Sequence, residues 1–538
     1  MMRLDSLPLP PDAVIHGDGS RPVTGVSHDS RTTAPGELYA ALPGANVHGA
    51  RFAGALLAAG VSAVLTDSAG LRLLRESGAD TSSAVLIEVG DPRAALGDIA
   101  AALSGTRGAP PRLLGITGTN GKTTTTYLLD ALLGELGETT GVIGTIATSI
   151  AGVRQPSART TPESPELHRL LAQMRSAGAG WCSMEVSSHA LAQHRVDGAQ
   201  FAVAGFTNLS QDHLDFHPTM EDYFAAKAQL FTPQFSQRGA VVLADDWARR
   251  LAREAQIPVV TISRTAADEP DYLVVEDAPG GAGSGGSAAE AAGAEAAAAR
   301  TPGGGGHFDL VRRTGAPGAE QRMRVASPLP GDFNVMNAAL AVVMLLEAGF
   351  AFDAVARAAG GFTAAVPGRM EVVSPAGPRA IVDYSHTPDA LVNVLSGLQG
   401  APLVAVIGAG GDRDHGKRPL MGRAAAQWAD AVIVTDDNPR SEDPAAIRAA
   451  VLSGALEAVA DGTARAARSD VCEVASRAQA IAEAVRRAGP AGTVLVAGKG
   501  HETGQEIAGT VHPFDDREQT REAVARAAGG ARAGRVQA

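Results

Sequence analysis

The stretch Leu113-Leu-Gly-Ile-Thr-Gly-Thr-Asn-Gly-Lys-Thr123 passes from an apolar run through a glycine-rich turn to a lysine–threonine pair. The apolar run predicts a buried strand, and residues 123–136 predict the helix that follows it. Glycines let backbone N–H groups face phosphate oxygens, and the helix N-terminus adds the positive end of its dipole. Lys122 brings a charge, and Thr123 brings a hydroxyl for Mg²⁺. The stretch therefore predicts a triphosphate site, although isoleucine occupies a position that the common P-loop pattern gives to glycine.

Length and composition limit the class of protein around this site. The chain has 538 residues, of which 45% are apolar and 19% are charged, so about two to four domains are expected. A formal net charge of −12 disfavours a nucleic-acid binder with a broad basic surface. Two cysteines cannot form a disulfide framework or a four-thiolate zinc site, which indicates a reducing compartment. Since no apolar stretch reaches the roughly 18 residues of a membrane span, we expect a cytoplasmic protein without membrane insertion.

Changes in pattern along the chain divide it into three predicted domains. Glycine and proline punctuate residues 105–111, and a second boundary falls near residues 366–368, which gives domains at 1–108, 109–366 and 367–538. Residues 278–306 are mostly glycine and alanine, so we interpret them as a flexible insertion in the second domain. The expected fold is α/β, with a P-loop-like parallel sheet in the central domain. Predicted strands at 403–407, 431–435 and 493–497 alternate with alanine-rich helices and indicate a Rossmann-like, doubly wound third domain.

Six further motifs, taken together with the glycine-rich turn, resemble those of one known family. They are Glu185-Val-Ser-Ser-His-Ala-Leu191, Asn208-Leu-Ser-Gln-Asp-His-Leu-Asp215, Tyr223-Phe-Ala-Ala-Lys227, Asp332-Phe-Asn-Val-Met-Asn337, Pro367-Gly-Arg-Met-Glu371 and Asp383-Tyr-Ser-His-Thr-Pro-Asp389. With Thr117-Gly-Thr-Asn-Gly-Lys-Thr-Thr124, they resemble the Mur ligases, the ATP-dependent amide-forming enzymes of peptidoglycan precursor synthesis. Within that family, Asp437-Asn-Pro-Arg440 resembles the signature of members that add meso-diaminopimelate to a UDP-N-acetylmuramoyl dipeptide.

The resemblance implies a reaction in which ATP phosphorylates a carboxylate and an amine then displaces the phosphate. Negative charge accumulates between the reactants, so cations must neutralise it. The implied catalytic residues are Lys122, Glu185, His213 and Lys227, and the implied Mg²⁺ ligands are Thr123, Glu185, His213 and Lys227. Lys227 alone would be interpreted as a solvated helix position. The resemblance instead implies that it is carried as a carbamate, N6-carboxylysine, which requires a neutral amine and yields an anion.

The resemblance also assigns binding residues for three small-molecule substrates, with no nucleic acid and no second subunit expected. The implied ATP-binding residues are Gly118, Thr119, Asn120, Gly121, Lys122, Thr123, Thr124, Asn334, Asn337, Arg369, Asp383 and His386. For the nucleotide-sugar peptide they are Ser30, Ala45, Asn46, Val47, Thr160, Thr161, Ser187, Gln193 and Arg195. For diaminopimelate they are Arg413, Asp437, Asn438, Pro439, Arg440, Gly498 and Glu502, on loops that follow the three predicted strands of the third domain.

Some of these residues also allow a purely structural interpretation. Without the resemblance, Ser30 is typical of a turn or cap, Asn337 of an interior helix position, and Arg440 of a solvated side chain after an Asn-Pro turn.

Rival enzymes of the same architecture are a lysine-adding ligase and a folylpolyglutamate synthase. Arg440 argues against the first, and the Ser27-His-Asp-Ser-Arg31 motif of an N-terminal domain argues against the second. A nucleotide-dependent switch would explain the glycine-rich loop but would leave Lys227 and His213 without a role.

Overall fold

A computed structural model describes residues 2–44, 46–82, 84–276, 306–313, 320–375, 377–398 and 401–536. The predicted insertion at 278–306, except for its last residue, and the predicted substrate residue Ala45 lie outside these described ranges. Among the described residues, no helix combines the length and the apolar character needed to cross a bilayer.

The strands of the N-terminal region are β1 (Met2–Arg3), β2 (Val14–His16), β3 (Pro22–Val23), β4 (Val26–Ser27), β5 (Leu38–Ala40), β6 (Ala63–Thr66) and β7 (Leu86–Glu88). Five of them form a sheet in the order β2-β7-β6-β5-β4, in which only β2 runs antiparallel to its neighbour, while β1 and β3 pair separately. The helices of this region are α1 (Ala53–Ala58), α2 (Ser68–Glu76) and α3 (Pro92–Ser104). Asp91 caps α3 with its carboxylate, and Gly105, the first residue of the predicted glycine- and proline-punctuated stretch, ends the helix at φ +61°.

The central region is built on one eleven-stranded sheet in the order β11-β10-β9-β12-β8-β13-β14-β15-β16-β17-β18. Its strands are β8 (Arg112–Thr117), β9 (Thr140–Ile143), β10 (Ala147–Ile150), β11 (Val153–Pro156), β12 (Trp181–Glu185), β13 (Phe201–Phe206), β14 (Ser236–Val242), β15 (Val259–Ser263), β16 (Tyr272–Glu276), β17 (His307–Arg313) and β18 (Glu320–Ala326). Its helices are α4 (Lys122–Glu135), α5 (Ser164–Ser176), α6 (Ser188–Ala192), α7 (Met220–Ala228), α8 (Asp246–Glu254), α9 (Asp332–Glu347) and α10 (Phe352–Ala359).

The predicted parallel sheet forms the middle of this eleven-stranded sheet. Strands β9, β12, β8, β13, β14, β15 and β16 pair in parallel, while β10–β11 and β17–β18 add antiparallel hairpins at the two ends. The hairpins carry exposed strands such as β11, which lack the continuous apolar run that identifies a buried parallel strand. Helix α9 is buried on all sides over residues 338–345, where it packs against the sheet and α4.

The strands of the C-terminal region are β19 (Glu371–Ser374), β20 (Arg379–Asp383), β21 (Leu403–Ile407), β22 (Ala431–Val434), β23 (Val471–Glu473), β24 (Thr493–Ala497), β25 (Gly504–Ile507) and β26 (Thr510–Pro513). Six of them form a sheet in the order β19-β20-β24-β21-β22-β23, parallel except for β19, while β25 and β26 form a separate hairpin. The helices of this region are α11 (Pro388–Ser396), α12 (Lys417–Trp428), α13 (Pro444–Ala460), α14 (Arg477–Ala488) and α15 (Asp516–Val536). Short 3₁₀ helices elsewhere span Leu4–Ser6, Gly49–Phe52, Gln229–Phe231, Ala266–Asp268 and Arg468–Asp470.

The predicted α/β class and the three predicted strands of this last sheet are confirmed. Because β24, β21 and β22 are direct neighbours and parallel, their carboxyl ends lie at one edge of the sheet. The loops that carry Gly498, Arg413 and Arg440 therefore emerge side by side.

Candidate functional site

A cavity of about 1140 Å³ lies where the central and C-terminal regions face each other. Its walls come from the loop after β8, the ends of β12 and β13, the start of α9, and the residues that follow the second boundary. Three of these segments follow parallel strands of one sheet, which is where open α/β sheets bind ligands.

The glycine-rich loop lies on one wall of the cavity and is shaped by its two glycines. Gly118 and Gly121 have φ of +144° and +88°, and a side chain on Gly118 would collide with Thr207. Helix α4 starts at Lys122, so its N-terminus opens onto the loop. The Nζ of Lys122 donates to the carbonyl oxygens of Gly118 and Thr119 at 2.9 and 2.8 Å, and burial lowers the pKa of this lysine.

The rest of the loop is held by its neighbours. The backbone N–H groups of Thr119 and Asn120 donate to the backbone and side-chain oxygens of Asn208 at 2.9 and 3.1 Å. Thr124 is buried in the first turn of α4. These bonds fix the loop conformation from the end of β13.

Glu185, at the carboxyl end of β12, is 1% exposed and faces the loop. Its Oε2 accepts from the hydroxyl of Thr123 at 2.9 Å and from the hydroxyl of Thr145 at 3.1 Å, and its Oε1 accepts from the N–H of Thr145 at 2.7 Å. All of these donors are neutral. A buried carboxylate without a hydrogen-bonded cation is costly, so the pair Glu185 and Thr123 fits a divalent cation with oxygen ligands.

Lys227 is 1% exposed, so the expectation of a solvated position, which its sequence context alone favours, is wrong. Its Nζ donates to the carbonyl oxygen of Gly118 at 2.8 Å and lies 4.5 Å from the centre of the Tyr223 ring. Burial is the main cause that holds the pKa of Lys227 well below that of an ordinary lysine, and the nearby positive charge of Lys122 is the second. These surroundings favour the neutral form of the amine more than those of an exposed lysine would.

His213 lies beside these groups at φ +55°, with its ring centre 4.8 Å from that of His189. Burial lowers the pKa of His213, which favours the neutral imidazole. In the described part of the chain, no three His, Cys, Asp or Glu side chains are grouped as a metal-binding cluster. Two of the four predicted Mg²⁺ ligands are a threonine and a lysine, which do not belong to those four residue types. All four predicted ligands nevertheless line the same cavity.

Two asparagines of α9 close the cavity beside the loop. Asn334 donates to the carbonyl oxygen of Pro330 at 2.7 Å, and its own side-chain oxygen accepts from Asn337 at 3.2 Å. The Asn337 oxygen also lies next to Gly121, where a side chain would approach it to 2.5 Å. The asparagine side chains therefore bond to each other and to the helix start, and they also contact the predicted phosphate loop.

The C-terminal region contributes three predicted ATP residues to the opposite wall. Arg369 donates through Nη2 to the hydroxyl oxygen of Thr123 at 3.2 Å, and its guanidinium stacks 4.1 Å from the centre of the Tyr384 ring. Asp383 accepts from the N–H groups of Met370 and Ser385 at 2.7 and 2.8 Å, so it also shapes this wall. His386 lines the cavity, and burial lowers its pKa.

The predicted residues for the nucleotide-sugar peptide are only partly brought together. Thr160, Thr161, Ser187 and Arg195 line the cavity, and Gln193 bonds to Arg195. Ser30, Asn46 and Val47 lie in the N-terminal region, outside the described lining of this cavity. Sequence reasoning missed Glu163, a buried carboxylate that lies 3.0 Å from Nε of Arg195. No motif singled it out, and two of its cationic partners, Arg93 and Arg195, come from distant segments.

The three loops of the C-terminal sheet meet at its edge. Arg413 and Arg440 both approach Gly410, and a side chain on Gly498 would collide with Asp437. A side chain on Gly411 would likewise collide with the backbone of Pro439. Arg440 has φ +53° and donates to the Gly411 carbonyl oxygen at 2.5 Å, which ties its loop to the neighbouring one.

Asn438 and Glu502 are linked directly across two of these loops, since Asn438 Nδ2 donates to Glu502 Oε2 at 2.7 Å. Lys499, which sequence reasoning missed, bonds to both of them. Its position in the run Gly498-Lys-Gly-His-Glu502 is the sequence signal that could have identified it. The assembly offers cationic and anionic groups at one edge, suited to a ligand with both carboxylate and ammonium groups.

Comparisons with known proteins relate the chain to one family. Three family models match: "Mur ligase family, catalytic domain" over residues 22–103, "Mur ligase middle domain" over 116–345, and "Mur ligase, glutamate ligase domain" over 368–500. The UDP-N-acetylmuramoyl-L-alanyl-D-glutamate--2,6-diaminopimelate ligase of Streptomyces coelicolor is 45% identical over 95% of this chain and 94% of its own length. The ligase of the same name from Corynebacterium glutamicum is 43% identical, over 95% and 93%.

Solved structures of ligases are also similar to this chain. A structure of a UDP-N-acetylmuramoyl-L-alanyl-D-glutamate--2,6-diaminopimelate ligase matches it with a TM-score of 0.60 and 32% identity. The match covers 95% of this chain and 96% of that one. A UDP-N-acetylmuramoylalanyl-D-glutamyl-2,6-diaminopimelate--D-alanyl-D-alanyl ligase from Acinetobacter baumannii has a TM-score of 0.56 at 18% identity, over 88% and 90%. The second likeness concerns the fold alone.

Proposed function

Since the chain belongs to the Mur ligase family, we propose that it adds meso-diaminopimelate to the D-glutamate γ-carboxylate of UDP-N-acetylmuramoyl-L-alanyl-D-glutamate. The enzyme is an ATP-dependent, amide-forming ligase that acts on small molecules. The proposed reaction proceeds through an acyl phosphate and releases ADP and phosphate. It contributes to peptidoglycan precursor synthesis.

The observation that carries the proposal is the shared cavity. It is lined on one side by the phosphate loop and Glu185, and on the other by Arg369 and His386 from the C-terminal region. A triphosphate on the loop would lie between these walls, so a carboxylate and its γ-phosphoryl group can be held in line.

Each wall has a distinct task in phosphoryl transfer. Lys122 and the N-terminus of α4 stabilise phosphate charge, and Arg369 adds a second cation from the opposite side. Glu185, Thr123, His213 and carbamylated Lys227 would hold Mg²⁺, which neutralises charge shared by ATP and the carboxylate; the family is generally Mg²⁺-requiring. Asn334 and Asn337 would contact the nucleotide beyond the loop, and Asp383 would shape the facing wall.

A carbamate on Lys227 is supported by the burial of its amine. A neutral amine adds carbon dioxide and releases a proton, so the lowered pKa favours the reaction. The product is an anion that is attracted to the nearby positive charge of Lys122.

The two remaining substrates are proposed to occupy opposite ends of the site. Thr160, Thr161, Ser187, Gln193 and Arg195 would contact the nucleotide-sugar peptide, and Ser30, Ala45, Asn46 and Val47 would hold its nucleotide end from the N-terminal domain. Arg413 and Arg440 would bind carboxylate of diaminopimelate, while Asn438, Glu502 and the Gly498 carbonyl accept or orient its distal ammonium, with Asp437 and Pro439 shaping the loop. We also propose that the chain is a cytoplasmic monomer with domains at 1–108, 109–366 and 367–538.

Phosphate release tests the proposed function. We expect release only when ATP, Mg²⁺, the nucleotide dipeptide and diaminopimelate are all present, and negligible release when lysine replaces diaminopimelate. A panel of the meso, LL and DD isomers determines the stereochemical preference. Equal turnover with lysine would favour a lysine-adding ligase, and turnover without either co-substrate would favour a nucleotide-dependent switch.

A further inference from the structure

Lysine is used very sparingly in this chain. The sequence has 46 basic residues, of which only Lys122, Lys227, Lys417 and Lys499 are lysines, so arginine supplies nearly all surface positive charge. Lys227 and Lys499 are 1% and 0% exposed, and Lys122 folds back onto the phosphate loop. Three of the four lysines thus lie at enclosed positions, where each compact ammonium offers three hydrogen-bond donors.

Lys499 is the buried lysine that the proposed reaction leaves without a role. It lies in the loop after β24, and its Nζ donates to Oδ1 of Asn438 at 2.9 Å and to Oε2 of Glu502 at 3.1 Å. The cation therefore joins the loop after β22 to the loop that contains it.

These contacts fix the orientation of the Asn438 amide. Its Oδ1 accepts from Lys499 and from the backbone N–H of Glu506, at 2.9 and 3.0 Å, and both of these partners can only donate. Rotating the amide by half a turn would place its NH₂ group against two donors. The Asn438 Nδ2 is consequently directed to Glu502 Oε2 at 2.7 Å.

The same arrangement orients the Glu502 carboxylate. Both of its side-chain hydrogen bonds, from Asn438 and from Lys499, fall on Oε2, and within the described ranges none falls on Oε1. The side chain is 31% exposed, so Oε1 can meet a ligand. A carboxylate held at one oxygen presents the other in a defined direction, and this lowers the ordering cost of binding.

We propose that Lys499 is a positioning residue for the amino-acid substrate, because it locks Asn438 and Glu502 so that Glu502 Oε1 receives the substrate's distal ammonium. This inference rests on the proposed function. It adds a division of labour: the Lys499 network recognises an ammonium that lysine and diaminopimelate share, whereas Arg440 recognises a carboxylate that only diaminopimelate has.

The test compares steady-state constants of Lys499→Met, which keeps the length of the side chain but removes its donors. We expect the KM for diaminopimelate to rise about tenfold or more while the KM for ATP stays within about twofold. Val494→Ala, a cavity substitution in β24, is the matched control, because it lowers Tm without any split between the two constants. Asn438→Ala supplies the same test from the other end of the network, should Lys499→Met fail to fold.

A double-mutant cycle with Glu502→Gln separates positioning from general stability. If Lys499 acts through Glu502, adding Lys499→Met to Glu502→Gln raises the KM for diaminopimelate little further. Independent, multiplicative effects, or equal rises in the KM for ATP and for diaminopimelate, would overturn the inference. A wild-type enzyme that releases phosphate with diaminopimelate upholds the proposed function whatever these variants do; one that does not would overturn both.

Discussion

The Nη2 of Arg369 donates a hydrogen bond of 3.2 Å to the hydroxyl oxygen of Thr123, a residue 246 positions earlier in the chain. That hydroxyl in turn donates to Glu185 at 2.9 Å. The C-terminal region is thereby connected to the proposed phosphate loop and to the proposed cation ligand through one side chain. Arg369 follows the Pro-Gly pair at the boundary, so movement of the C-terminal region would make or break this bond.

Replacing Arg369 with alanine is expected to reduce kcat/KM for ATP by about 10- to 100-fold, because a cation facing the phosphates is lost. Steady-state kinetics with varied ATP measures the effect. Arg521→Ala is the control, since Arg521 pairs with Glu371 at 3.1 Å on the surface of the same region and should change kcat/KM by less than about twofold. Equal losses in both variants would contradict a role for Arg369 at the phosphates.

Lys227→Ala is expected to lower activity by at least about 100-fold, because the proposed carbamate can no longer hold Mg²⁺. Wild-type enzyme depleted of carbon dioxide should also lose activity and regain it with bicarbonate. Carbon-13 NMR after exposure to labelled carbon dioxide should show a carbamate signal that Lys227→Ala lacks. A wild-type enzyme without this signal, fully active in carbon-dioxide-free buffer, would refute the carbamate.

Arg440→Ala should raise the KM for diaminopimelate about tenfold or more and leave the KM for ATP nearly unchanged. It should also reduce the preference for diaminopimelate over lysine, because the lost guanidinium binds a carboxylate that lysine lacks. Phosphate-release assays with both amino acids measure this ratio. A similar rise in the two KM values would mean that Arg440 only maintains its loop.

Stability should fall as the pH drops below about 6.5, in part through His168. This buried imidazole bonds Thr106 and the Asp197 carbonyl oxygen at 2.7 and 3.1 Å, and burial lowers its pKa. Because the folded-state pKa lies below the unfolded value, the unfolded chain binds the proton first. The stabilising contribution is therefore present above pH 6.5 and is lost as the pH falls towards the folded-state pKa.

Urea unfolding between pH 7 and pH 5 checks this dependence. In His168→Gln, the decline in unfolding free energy with falling pH should be smaller than in the wild type. His512→Gln, at an exposed histidine, should leave the slope unchanged. Identical slopes in all three proteins would show that His168 does not contribute.

The strand, loop and helix around the proposed phosphate site were predicted from local pattern alone, and the structure confirms their order. Strand β8 and helix α4 lie within one residue of the predicted bounds, and the glycines take the positive φ angles that the turn requires. Three strands of the C-terminal sheet, β21, β22 and β24, were equally predictable, because continuous apolar runs mark buried parallel strands. The end hairpins of the central sheet were not, since their exposed residues carry no such run.

By itself, the sequence determined the α/β class, the order of loop and helix at the phosphate site, and the motifs that indicate a ligase. Only the tertiary structure decided that Lys227 is buried, that Arg369 reaches Thr123, and that Lys499 joins Asn438 to Glu502. The physical reason is that propensity, turn geometry and apolar periodicity are local properties. Burial, the charge around an amine and a hydrogen bond between distant segments depend on how the sheets and helices pack.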